Sequence, residues 1–305
     1  MTWRSLLISK GGKLSLHQQQ MLIQQEGKEF TVPLEDIAIV VVESRETVIT
    51  LPLLSAFGLF GITLLSCDEQ FLPCGQWLPF NQYYRQLKTL KLQLETSLPL
   101  KKQLWQRIVQ QKIRNQAKVL SLCHLQEKSK RLLQLANLVK SGDKDNLEAQ
   151  SAVIYFSGLF GTHFRRKEED NAINIHLNYA YSVMRSAVAR SLVLYGWLPQ
   201  LGLFHHSELN AFNLADDFIE PFRPIVDLLV WSLLEKGLLT TNLSPISKQQ
   251  LIKILHHQLY FNQEKVSVLT AIDKTVASLQ IALIQKNAAL LQLPEIDTLQ
   301  EYQYE

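Results

Sequence analysis

The run Ile37–Val42, IAIVVV, constrains this chain more than any other stretch. Six consecutive apolar residues, nearly all β-branched, suit a strand buried on both faces rather than one alternating between core and solvent. Such a strand has to lie inside a sheet covered on each side. The flanking sequence supplies that setting. TWRSLLIS alternates, GGK makes a turn, and KLSLHQQQMLIQQ, EGK and EFTVPL read as a meander with glycine-containing turns. Residues 51–60 read as a short helix with Pro52 tolerated in its first turn, and residues 62–66 and 71–75 as closing strands. Residues 1–78 are expected to form a small β-rich domain, a scaffold whose strand edges can pair with another chain.

After Pro79 the pattern turns helical. Residues 80–96 put Tyr84, Leu87, Leu90 and Leu94 at helical spacing, with Arg85, Lys88 and Lys91 on a flank. Pro99 is a break. Residues 101–122 place Leu104, Ile108 and Val119 inward and Arg107, Lys112, Arg114 and Lys118 outward, and residues 127–139 form a third helix. Further helices are expected from about residue 146, at 171–197, at 217–237 with Pro221 and Pro224 bending its start, at 248–257 and at 263–284. The acidic tail from Pro294 reads as loosely held. The fold class is expected to be α+β: a small N-terminal β-rich domain, residues 1–78, followed by a larger all-α domain, residues 79–305.

Charge is unevenly spread. The net formal charge is only +3, but residues 79–150 hold 14 basic and 5 acidic side chains, against 5 and 8 in residues 1–78 and 12 and 15 in residues 151–305. A basic block on helix faces is the footprint of a polyanion partner, or else a solvated surface; on charge alone the two readings stand level. Apolar content of 47% is ample for real cores. Cys67, Cys74 and Cys123 fit neither a disulfide framework nor a zinc motif, so reduced thiols in a cytoplasmic protein are expected. The N-terminus lacks the apolar stretch of a secretory signal. The longest apolar run, residues 51–65, is interrupted by Pro and Gly and too short to span a membrane.

Chemistry concentrates in residues 202–227, GLFHHSELNAFNLADDFIEPFRPIVD. A histidine pair precedes Asp216, Asp217 and Glu220, and Asp217 and Glu220, three apart, would share one face of a helix. A divalent-metal site, an acid–base pair and a capped helix all fit this pattern. Upstream, Asp145 can cap a helix beginning near Asn146, with Glu148 in its first turn as a capping-box partner. FRRKEED is a charged loop in which Arg165, Arg166 and Lys167 either touch phosphate or are simply solvated.

Four segments carry a resemblance. ISKGGKLSL with PLEDIAIVVVES and ITLPLLSAFGLFGITLLSCDE, then DNLEAQSAVIYFSGLF, NAINIHLNYAYSVMRSAV and the residues 202–227 run in the order seen in the CRISPR-associated protein one family. The length and the wording FNLADDFIEPFRP look most like members that accompany single-protein, RNA-guided effectors, the type II systems. The resemblance implies a metal-dependent endonuclease and integrase that inserts captured DNA as new spacers at a CRISPR repeat by 3′-hydroxyl transesterification. It implies metal and catalytic roles for Glu148, His205 and Glu220, with Asp217 an additional acidic residue. The adjacent pairs His205/His206 and Asp216/Asp217 leave a one-residue offset open; the family's usual placement of its histidine three residues after a glycine, here Gly202, favours His205 over His206 as the resemblance's ligand.

Two carboxylates and an imidazole suit Mn²⁺ or Mg²⁺. DNA contacts are expected at Arg85, Lys88, Lys91, Arg165, Arg166 and Arg223. The implied partners are prespacer and repeat DNA, a second copy of the chain, the companion CRISPR-associated protein two, and the type II effector machinery; no membrane is involved. A catalytically silent DNA-binding scaffold, with the acids serving as caps, is the rival reading. A hydrolase using a His/Asp pair lacks both a nucleophile elbow and a Gly-rich phosphate loop.

Overall fold

The computed structural model describes residues 4–79, 83, 85–168 and 170–303, so the inward place expected for Tyr84 falls outside the described residues. The chain opens with β1 (Arg4–Ile8), β2 (Gly12–His17), β3 (Gln20–Gln25), β4 (Lys28–Pro33), β5 (Ile37–Val42) and β6 (Thr47–Ile49). Then come α1 (Leu51–Phe60), β7 (Thr63–Cys67) and β8 (Pro73–Trp77). One sheet runs β1-β5-β7-β8 and the other β4-β3-β2-β6. β5 lies inside the first sheet, parallel to β1 and to β7. All six of its residues are buried. Val40 and Val42 join a core with α1 and the second sheet, while Ile39 and Val41 join the core of the helical body. The continuous apolar run is thus accounted for by two hydrophobic contacts, one per face.

The β2–β3 turn differs from expectation. It contains no glycine: Gln18 and Gln19 both adopt positive φ, 46° and 60°. That left-handed pair matches the twist of the flanking strands, a job usually given to Asn-Gly.

The helical body comprises α2 (Gln86–Glu95), α3 (Leu98–Leu122), α4 (Gln126–Leu138), α5 (Leu147–Leu159) and α6 (Ala172–Leu194), followed by α7 (Asn213–Ile219), α8 (Arg223–Glu235) and α9 (Pro245–Lys253). Pro99 does not break a helix but sits in the first turn of α3, where its missing N–H costs nothing. On α2 the expected stripe fails, because Leu87 and Leu94 are exposed and Thr89 and Gln93 are buried. Gln93 goes inward because its amide donates to the Leu198 and Leu201 carbonyls at 2.9 and 2.8 Å and accepts from Leu198 N at 3.1 Å.

The later part of the chain is not all-α. β9 (His257–Phe261), β10 (Glu264–Ser267) and, after α10 (Val268–Ile284), β11 (Glu295–Glu301) form a three-stranded sheet ordered β10-β9-β11. The hairpin was hidden because its turn is Asn262-Gln263, at φ 51° and 69°, again without glycine. The acidic tail is likewise not loose. Ile296 is buried, and Asn115 of α3 accepts from Ile296 N at 3.3 Å while donating to Pro294 O at 3.0 Å. Between α7 and α8 a single 3₁₀ turn, Glu220–Phe222, takes up the bend that Pro221 and Pro224 impose. Asn115 Nδ2 donates to the Pro221 carbonyl at 2.7 Å, so the bend is tied to α3.

Candidate metal and DNA site

Glu148 occupies the first turn of α5, but not as a capping residue. The cap is Asp143, whose two carboxylate oxygens accept from Leu147 N at 2.9 Å and Glu148 N at 3.0 Å. Asp145, the expected cap, pairs with Lys140 at 2.9 Å instead. Asn146, at φ 51°, turns the chain so that the earlier aspartate faces the helix end. The Glu148 side chain is free of capping duty and reaches α3, where Lys112 Nζ donates to its Oε1 at 2.6 Å.

Lys112 is not on the solvated flank predicted for it. It lies on the buried stripe of α3 with Trp105, Ile108, Val109 and Gln116. Its ammonium also forms an ion pair with Glu220 Oε2. Glu220 begins the 3₁₀ turn and accepts at Oε1 from Arg223 Nε at 2.8 Å. Burial opposes its ionisation, yet Arg223 and then Lys112 hold its carboxyl down at about 2. Burial likewise works against the Lys112 charge, but Glu220 and Glu148 outweigh it and raise the pKa. Two carboxylates from separate segments, Glu148 of α5 and Glu220 of the 3₁₀ turn, therefore meet around one buried cation.

The other half of the site is the loop before α7. Asp217 is fully buried. Its carboxylate accepts from Leu203 N at 2.5 Å, Phe204 N at 3.2 Å and His205 N at 3.1 Å, and it meets His205 Nδ1 at 2.8 Å. With the Asp217 oxygens accepting from the loop, Nδ1 is the donating nitrogen, and in the neutral ring Nε2 keeps its lone pair. That hydrogen bond, against opposing burial, raises the His205 pKa. The ring stands edge-on to Trp105 and Phe204, which stack at 4.3 Å. His206 is exposed and bonds the Phe204 carbonyl at 2.8 Å. Asp216 does not cap α7; it accepts from Asn210 at 2.6 Å and faces Arg185 at 4.0 Å.

A cavity of about 480 Å³ opens beside Glu220 and Lys112, lined also by Arg166, Tyr181, Arg223 and Asp227. Arg223 and Arg166 lie 4.5 and 5.4 Å from the centre of the Tyr181 ring. Arg166 is anchored by Asn174 and Asn178 at 2.9 and 2.7 Å. Tyr181 donates to Asp227, whose carboxyl burial pushes up to about 6. Of the six expected DNA contacts, Arg166 and Arg223 line the cavity beside Glu220, and Arg223 pairs with it. Arg165 is exposed and donates to its own loop at Thr162 O and Phe164 O. Arg85, Lys88 and Lys91 are exposed on or beside α2, the end of which lines a second cavity, about 590 Å³, with His205 and His206.

Among the described residues no three of His, Cys, Asp and Glu stand close enough together to hold a metal ion. Two of the three expected ligands nonetheless meet in one place, and their hard oxygen donors suit a divalent ion. Glu148 and Glu220 already share a cation, the Lys112 ammonium, and buried Glu220 Oε2 receives no aligned hydrogen bond from any described residue. Asp217 is a poor ligand because its oxygens are committed to the loop. Lys112, Asn115, Tyr181 and Asp227 were missed from sequence. Only Lys112 carried a signal, its position on the apolar stripe of α3.

Fold and site together define an α+β protein that sets Glu148 and the buried, ionised Glu220 beside a cavity lined by Arg166 and Arg223, a setting suited to phosphate esters. The chain belongs to the family described as CRISPR associated protein Cas1, whose model matches residues 6–256. It is 61% identical over the whole of both chains to the CRISPR-associated endonuclease Cas1 of Neisseria meningitidis serogroup C (strain 8013). It is 24% identical to the CRISPR-associated endonuclease Cas1 1 of Francisella tularensis subsp. novicida (strain U112), over 90% of this chain and 93% of that one. Its fold is similar to that of a casposase bound to integration product, with TM-score 0.77 and 18% identity over 94% of this chain and 92% of the other. A chain of a Cas6-RT-Cas1–Cas2 complex also matches, with TM-score 0.75 and 17% identity; this protein covers 36% of that longer chain. No described helix is long and apolar enough to cross a membrane.

Proposed function

We propose that this protein is a divalent-metal-dependent DNA endonuclease and integrase of CRISPR adaptation, joining captured DNA to a CRISPR repeat by 3′-hydroxyl transesterification. The observation that carries the reading is the meeting of Glu148 and Glu220, from separate segments, around one buried cation at the wall of a cationic cavity. Glu148, Glu220 and the Nε2 of His205 would hold Mn²⁺ or Mg²⁺, with His205 as the nitrogen ligand because Asp217 fixes its tautomer. When bound, such an ion polarises the scissile phosphate as a Lewis acid.

The chain's own residues do the rest. Arg166 and Arg223 bind phosphate oxygens in the cavity, presented on the Tyr181 ring. In the step itself the 3′-oxygen of the captured strand bonds to phosphorus, the target's own 3′-oxygen leaves, and the attacking hydroxyl's proton ends on that leaving oxygen. No covalent protein intermediate is required. Arg85, Lys88, Lys91 and Arg165 contribute longer-range attraction, which falls with added salt. The structural neighbour that carries Cas2 supports the companion protein Cas2 as a partner, and the kinship with the Neisseria endonuclease supports a type II setting; a homodimer belongs to the same reading.

An integration assay with labelled fragment and repeat DNA tests this, run in Mn²⁺, Mg²⁺ and EDTA with and without the companion protein. Glu148→Gln and His205→Ala should bind DNA as the wild type does and lose strand transfer by about 100-fold or more, the scale of ligand or outer-ligand loss at metal sites. Wild-type integration by both variants, or full activity in EDTA, would leave the silent DNA-binding scaffold as the better reading.

A further inference from the structure

Lys112 takes no part in the chemistry just proposed, yet it holds the centre of the site. Its ammonium is buried against Glu148 and Glu220. With Arg223 also on Glu220, the charges of two carboxylates and two cations cancel, so the site presents no net attraction to a divalent ion. A lysine ammonium is a compact point charge on a flexible stem, and it can leave one anion for another without moving its helix. The cavity lined by Gln116, Arg166 and Arg223 adjoins it, and a polyanion seated there would offer the ammonium new partners. A permanent structural bridge is the contrasting role; it would require the pair to persist with metal bound.

We infer that Lys112 is a resident counter-cation, which occupies the place between Glu148 and Glu220 until a divalent ion displaces it, and whose departure is assisted by DNA phosphate in the adjoining cavity. The inference rests on the metal site proposed above. It makes metal and DNA binding mutually reinforcing, because each favours the swung-out lysine. It also keeps the metal position filled while no substrate is present.

The test is a calorimetric Mn²⁺ titration of the full chain, wild type, Lys112→Met and Glu148→Gln, with and without a short DNA duplex. Lys112→Met should bind Mn²⁺ at least about tenfold more tightly than wild type in the absence of DNA. Duplex DNA should tighten Mn²⁺ binding in the wild type by a larger factor than in Lys112→Met. Equal or weaker Mn²⁺ binding by a folded Lys112→Met would overturn the inference. If that variant does not fold, amine acylation of the wild type read by mass spectrometry decides. Lys112 should be protected without metal and react once Mn²⁺ is saturating, and unchanged protection overturns the inference. Mn²⁺ binding by Glu148→Gln equal to wild type would instead sink the metal site itself.

Discussion

The two halves of the site solve the same problem, a buried carboxylate, in opposite ways. Asp217 is satisfied by neutral donors: three backbone amides and an imidazole N–H. Glu220, three residues on, is satisfied by the charges of Lys112 and Arg223. Amides cannot be exchanged without unfolding their loop, whereas a cation can be replaced by another cation. The difference teaches which acid builds the site and which serves it. Helical spacing alone would give both the same part.

Removing the amide-bound acid should therefore have the largest effect on the fold. Asp217→Ala leaves three loop amides without their acceptor, at about 1–3 kcal/mol for each buried group. We expect a loss of about 3–5 kcal/mol in denaturant unfolding. Glu220→Gln should cost less stability while removing strand transfer. The reverse ranking would break the division between the halves.

Asp227 sharpens the comparison from the ionic side. Its folded pKa of about 6 lies above the ordinary 3.8, so the folded state holds a proton that the unfolded chain has released. The stability this provides is complete below 3.8 and lost as pH rises through about 6. The shift corresponds to about 3 kcal/mol between pH 4 and pH 7. Unfolding free energies of Asp227→Asn and wild type, measured across that range, should diverge in this sense. Parallel curves would mean that Asp227 is ionised and already matched by the Arg166 and Arg223 charges.

What could be read from the sequence follows the same physics. β5 was legible because two-sided burial writes itself as an unbroken apolar run. The two Gln- and Asn-based turns were not, since residues other than glycine adopt positive φ there without announcing it. Glu148, His205 and Glu220 were reached by resemblance, and periodicity alone left Glu148 a capping residue. Lys112 was misread because charge was taken as a sign of exposure. Its neighbours on the stripe are apolar, and only the two carboxylates from distant segments make its burial tolerable.

Gly202 tests how tightly the amide half is built. A Cβ there would clash with the His205 carbonyl oxygen and lie 2.9 Å from Asp217 Oδ2. Backbone cannot yield as a side-chain tip can. Gly202→Ala should cost about 1–3 kcal/mol and displace His205, while leaving the Lys112 bridge intact. Impaired Mn²⁺ binding with retained DNA affinity is the expected pattern. Unchanged Mn²⁺ affinity would show that the loop's geometry is not what presents the imidazole.

The smallest effects should come from the immediate neighbours, and they decide the register. His206 is exposed and, among the described residues, bonds a carbonyl of its own loop, and Asp216 accepts from Asn210 at the edge of the site. Neither is locked by a buried partner as His205 and Asp217 are. His206→Ala and Asp216→Ala should each change unfolding free energy by about 0.5 kcal/mol or less and keep strand transfer near wild type. The informative measurement is the pairwise contrast in one assay, His205→Ala against His206→Ala. Loss of Mn²⁺ binding in the second with retention in the first would shift the ligand by one residue. It would also turn the Asp217 network from the support of a metal ligand into a plain loop anchor.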